Sequence, residues 1–155
     1  MAKMIAFSQG NLSDINHFLK VYAFAKTLGE LENLNEETQD ILEIAAIVHD
    51  IACPLCREKY GCTAGNYQEM ESENLLREFF AEFKLPSDIL ERVIFLVCHH
   101  HTYAGVDGMD WQLLLEADYL VNAHEMACSI EDIIKFRDNV FKSQSGIELL
   151  NSIYL

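Results

Sequence analysis

Apolar positions along the chain recur at intervals of three and four residues, in segments that mostly exceed ten residues. Period-two alternation is absent, so strands are not expected. The first predicted helix takes Ser13 as N-cap and runs to about Leu31, with His17, Val21, Phe24 or Ala25, and Leu28 on one face. A second begins near Asn35, places Glu36 and Glu37 at its positive end, and becomes apolar all round from Ile44 to Val48. It ends at His49 and Asp50. After a loop, "CPLCREKYGCTAGN", Gln68, Ser72, Leu75, Phe79 and Phe83 mark one face of a third helix.

Ser87 is the expected N-cap of a fourth helix, with Ile89, Val93, Leu96 and Val97 as its buried stripe. Continuing that stripe one turn reaches His100, with His99 and His101 at other angles. Asp110 is expected to cap a fifth helix, "WQLLLEADYLVNAHEMA", whose apolar positions nearly surround Asp118. "SIED" reads as a capping box for a sixth, ending near Phe141. The pattern predicts an all-α fold, a single compact domain of about six helices over residues 1–155.

Composition narrows the function classes. With 25 acidic residues against 11 basic ones and a formal net charge of −14, the surface would repel a nucleic-acid duplex. A small anionic substrate stays compatible, because a bound ion and a few local cations can reverse the field in one pocket. No apolar run is long enough to span a bilayer and no secretory signal opens the chain, so a cytoplasmic, soluble protein without membrane partners is expected. Five cysteines in mostly apolar segments point to reduced thiols. Oligomeric state, a homodimer included, is left open.

Three groups are out of place in such a core: His17 on an apolar face, the His49-Asp50 pair at the end of a buried helix, and Asp118 inside an apolar one. An ionised carboxylate buried without partners costs several kcal/mol, so it is normally paired, protonated or bound to metal. Most basic residues fall among polar neighbours; only Arg57 and Lys59 lie near the doublet in sequence. A divalent cation would neutralise both aspartates and accept the lone pairs of both imidazoles. Adjacent residues on a helix point about 100° apart, so His49 and Asp50 converge on one ion only if the helix ends there. Taken singly, His17 also fits a hydrogen-bonded core histidine, and Asp118 a helix-to-loop tether.

In order and spacing, His17, His49-Asp50 and Asp118 resemble the H…HD…D signature of the HD-domain metal-dependent phosphohydrolase superfamily. The flanks "HFLKV", "AAIVHDIA", "REKYG", "VIFLVCHHHTY" and "LLLEADYLVNAHE" are similar too, so the resemblance covers about residues 13 to 128. It implies a helical fold in which His17, His49, Asp50 and Asp118 ligate one divalent ion: manganese, iron, cobalt, nickel, zinc or magnesium. It also implies hydrolysis of phosphate esters, often of nucleotides. His99 and His100 are similar to the pair that serves a second metal in dinuclear relatives, with a phosphate-contacting role for His100 as the alternative. Where such relatives carry another histidine, this chain has "NYQEMESENLL", offering Gln68, Glu69 and Glu71. The GYP tripeptide of cyclic-dinucleotide phosphodiesterases is replaced by "AGVDGMD".

On this reading a small phosphorylated metabolite or nucleotide is attacked by metal-activated water. Asp118 orients the nucleophile, Arg57 and Lys59 meet phosphate oxygens, and Lys59, His100 and Glu69 are further catalytic candidates. The alternatives are a solvated loop for Arg57 and Lys59 and a helix-dipole contact for Glu69 and Glu71. Cys53, Cys56 and Cys62 beside the doublet lack the fourth ligand of a structural zinc site, and a redox CxxC would want a strand-helix setting. Two rival functions stand beside the hydrolase: a dinuclear iron oxygenase, and a non-catalytic metal- or nucleotide-binding regulatory module.

Overall fold

In a computed structural model, residues 1–155 are described throughout, and they form nine α-helices and no strand. In chain order these are α1 (Ala2–Phe7), α2 (Leu12–Leu31), α3 (Glu36–Val48), α4 (Cys53–Tyr60), α5 (Gly65–Phe80), α6 (Ser87–Val97), α7 (Met109–Glu125), α8 (Ile130–Val140) and α9 (Gln144–Tyr154). The all-α expectation holds, and the six predicted helices correspond to α2, α3, α5, α6, α7 and α8. The other three have identifiable causes. Helix α1 is only six residues long, too short for a period to show. Helix α4 lies in the segment expected as a loop: Pro54 falls in its first turn, where a missing N–H does no harm, and Gly61 closes it at φ 72°. Helix α9 is capped by Ser143, whose hydroxyl accepts from the Gly146 amide.

Three expected caps shift. Asn11 rather than Ser13 caps α2, accepting from the amides of Ser13 and Asp14. Pro86 precedes α6, and Ser87 is its first helical residue without a capping bond. Asp110 lies inside α7, where both of its carboxylate oxygens accept from Arg92 at 2.7 Å. The Arg92 guanidinium also binds Asp107, so one side chain of α6 ties down the 98–108 connection. Ser129 caps α8 as expected, accepting from the Asp132 amide. On α5, Leu76 and Phe80 are buried, whereas Phe83 lies beyond the helix and is exposed.

The long helix α2 packs most extensively on α3 and α7, and α3 in turn contacts both α6 and α7. One apolar cluster runs through all of them, with Phe18, Leu28, Leu42, Leu96, Leu113 and Leu114 among its fully buried members. Helix α7 is buried nearly all round. Two residues before Asp118 it carries Glu116, wholly buried, whose carboxyl accepts from the amides of Lys142 and Ser143 and from the Ser143 hydroxyl. That contact fixes the start of α9, and Gly146 leaves room for it: a Cβ there would fall 2.0 Å from Glu116 Oε2.

Candidate metal centre

Four elements meet at the out-of-place polar groups. His17 comes from the second turn of α2, Asp118 from the buried face of α7, and His100 from the turn after α6. Helix α3 stops at Val48, with His49 as its C-cap and Asp50 in the following turn, so the doublet turns inward from a helix end as expected. His49 is 0% and Asp118 6% exposed.

The ring nitrogens are assigned by their neighbours. His49 Nδ1 donates to the Ala46 carbonyl at 2.9 Å and His100 Nδ1 to the Val97 carbonyl at 2.6 Å. His17 Nδ1 meets Glu125 Oε2 at 2.8 Å. A carbonyl or carboxylate can only accept, so all three Nδ1 atoms carry hydrogen, and each ring, when neutral, turns its Nε2 lone pair toward the centre. There His17 Nε2 lies 3.1 Å from His49 Nε2 and 3.1 Å from Asp118 Oδ1. Asp50 Oδ2 stands 3.5 Å from His17 Nε2 and 3.7 Å from His49 Nε2. Lone pairs and carboxylate oxygens facing one another at these distances repel unless positive charge lies among them.

The titration behaviour follows. Burial depresses the His17 imidazolium, but Asp118, Asp50 and Glu125 outweigh it and raise the pKa to about 9. Burial would push both aspartates up; the surrounding imidazoles, His49 first for Asp50 and His17 first for Asp118, hold them well below the usual carboxylate range instead. The cluster therefore demands a cation, whether a proton or a metal ion. His17, His49 and Asp50 present ligating atoms within 4.8 Å of one another. A mixed imidazole and carboxylate set suits a divalent transition metal. The fully buried His100 Nε2 has no hydrogen-bond partner, although Asp50 Oδ1 lies 3.6 Å away, which also fits a metal ligand.

Asp50, His100 and His101 form a second such group. The pair facing Asp50 is thus His100 with His101, not His99 with His100. His99 is held away: its Nδ1 donates to the Phe95 carbonyl, its ring stacks on Phe95 at 4.3 Å, and its own carbonyl accepts from the Trp111 indole. His101 is buried enough that desolvation, helped by His100, lowers its pKa to about 4. Gly65 at the start of α5 makes this possible, since a Cβ there would meet the His101 ring at 2.6 Å.

His17, Asp50 and Asp118 line a cavity of about 490 Å³. Arg57 is at its rim, where it pairs with Asp14. Lys59 does not reach it: Glu71 accepts from its ammonium at 2.6 Å, on an exposed flank. Glu69 also lies off the cavity, accepting from the His101 amide and the Thr102 hydroxyl and so anchoring that turn. Cys53 lines the cavity, but no cysteine belongs to either ligand group.

Sequence reasoning assigned no role to Glu125 or His101, and named Gln68 only on the third helix's face and among the residues standing where dinuclear relatives carry another histidine. Gln68 is 4% exposed and lines the cavity; its amide donates to the Thr63 carbonyl and its Oε1 has no partner. Glu125 was legible in principle, two turns beyond Asp118 on the same helix face. Tyr103, Tyr119 and Phe136 also line the cavity, with Tyr119 and Phe136 stacked at 3.6 Å. They come from three separate segments that only the tertiary fold unites.

Among known protein families, the model of the HD domain matches residues 14–137. No curated protein and no solved structure matches the chain.

Proposed function

The chain belongs to the HD-domain family, and on that premise we propose that it is a metal-dependent phosphohydrolase acting on a small phosphorylated metabolite or nucleotide. The observation that carries this reading is the convergence of the His17 and His49 Nε2 atoms with Asp50 and Asp118 at the cavity floor, lone pairs inward. These four residues would hold one divalent ion. When bound, the ion supplies a charge that acidifies water and polarises a phosphoryl oxygen.

The side chains do the rest. The buried imidazoles, locked by their Nδ1 bonds, keep a fixed geometry that needs no rearrangement during reaction. Asp118 is the acceptor nearest the imidazole pair and can orient an attacking water by taking its hydrogen bond. Arg57 offers a planar guanidinium at the rim to non-reacting phosphate oxygens, competing with Asp14 for it. His100, buried beside Asp50 and absent from the cavity lining, would act as a further ligand and not as a phosphate contact. The aromatic wall gives the organic part of an ester an apolar surface.

The test pairs metal content with phosphate release. Purified protein should hold about one divalent ion per chain and release phosphate from some member of a panel of nucleotides and sugar phosphates. Asp50→Ala should lose both while keeping its helical circular dichroism. A metal-loaded, folded protein inert toward every ester would sink the proposal. The second ligand group, Asp50 with His100 and His101, favours one other reading, a dinuclear iron oxygenase. Two irons per chain together with oxygen uptake would select it.

A further inference from the structure

The three inward-facing imidazoles are not anchored alike. His49 and His100 donate Nδ1–H to backbone carbonyls only three residues back, an arrangement the helix ends supply by themselves. His17 sits inside α2, in its second turn, and its Nδ1 is met by Glu125 Oε2 at 2.8 Å, from the last residue of α7. Glu125 is itself held: Lys20, one turn along α2 from His17, pairs with its other oxygen, Oε1. With the Lys20 ammonium on one oxygen and the His17 ring on the other, Glu125 is placed to meet His17 as a carboxylate.

We infer that Glu125, tethered by Lys20, is a positioning residue that fixes the His17 ring with Nε2 toward the metal ligands and so sets the affinity of the site for its ion. This rests on the metal reading above. Two physical effects combine. The carboxylate selects the tautomer with hydrogen on Nδ1, and its charge makes Nε2 a stronger donor to a cation. Without it, His17 can turn or carry its hydrogen on Nε2, and one of the four ligands is lost for part of the time. Removal of such an outer partner typically lowers metal affinity by about 10- to 100-fold. No other ring in the cluster depends on a side chain that substitution can remove.

The experiment uses the full chain with Mn²⁺ alone, its dissociation constant read from the electron paramagnetic resonance of the free ion. Glu125→Ala should bind Mn²⁺ at least tenfold more weakly than wild type. Glu125→Gln, which keeps an acceptor but no charge, should fall between the two. The visible spectrum of the Co²⁺-substituted protein should change in Glu125→Ala, reporting an altered ligand field independently of turnover. Binding of Mn²⁺ by Glu125→Ala within twofold of wild type overturns the inference. Should that variant fail to fold, Glu125→Gln decides: a loss of twofold or more supports the role, and less overturns it. If wild type itself binds no Mn²⁺, the failure belongs to the metal assignment; if wild type binds and the variants do too, it belongs to Glu125.

Discussion

Single residues divide by what already holds them. Arg57 and Lys59 are two positions apart, yet only Arg57 borders the cavity, and Lys59 is tied to Glu71. Arg57→Ala is therefore expected to raise KM for a phosphate ester about tenfold, the equivalent of one charge-assisted contact of about 1.4 kcal/mol. Lys59→Ala should stay within about twofold; equal effects in steady-state kinetics would refute the distinction. The cysteines divide in the same way. Burial, then Asp50 and Asp14, push the Cys53 thiol far up, whereas Cys62 is exposed. Iodoacetamide at pH 8 should label Cys62 first and leave Cys53 intact, as peptide mass spectrometry would show. At this scale the sequence was informative wherever a residue type contradicted its surroundings, as at His17 and Asp118. It was less informative at Gln68, named for its place on the third helix's face and as a substitute for a histidine of dinuclear relatives, because the burial of its unpartnered oxygen exists only in the tertiary fold.

Helices are joined at their ends by carboxyl groups that accept backbone amides. Glu116 does this for the start of α9, and its loss would leave the buried Ser143 amide and hydroxyl without an acceptor. Glu116→Ala should destabilise the protein by about 3 kcal/mol, reckoned from two or three lost bonds, lowering Tm by about 8 °C for a chain of this size. A melt within 2 °C of wild type would rule this out. Glu32, at the end of α2, accepts from the Ser145 amide at 2.9 Å and its hydroxyl at 2.6 Å, which lower its pKa from 4.5. A carboxyl with a lowered folded-state pKa stabilises above the unfolded value and loses that contribution as pH falls through the folded one. The Tm gap between wild type and Glu32→Gln should thus be constant from pH 7 to 5 and shrink below about pH 4.5; a gap that widens in acid would contradict it. Six helices were readable because their apolar stripes are long. Helix α4 was hidden by Pro54, which starts a helix as readily as it ends one, and α9 by the polar link around Ser143.

Across the whole molecule, the net charge of −14 opposes approach of the anionic ester that the cavity is proposed to hydrolyse. Screening shortens from about 30 Å at 10 mM salt to about 8 Å at 150 mM, so kcat/KM should rise with ionic strength over that range, by roughly threefold. A fall with added salt would mean that local cations already dominate the path to the site. No helix is long and apolar enough to cross a membrane. The order of ligands along the chain was visible at this scale, since helix, helix end and helix each present one conspicuous group. The cavity wall was not, because Tyr103, Tyr119 and Phe136 meet only when α7 and α8 fold against the 98–108 connection. Gly65 shows what that long-range assembly asks of a position outside the site. It donates no atom to the site, yet any other residue there would push the His101 ring aside. Gly65→Ala should therefore be felt first at His101 and the candidate ligand group it shares with Asp50 and His100, a disturbance that starts from a residue outside either ligand group.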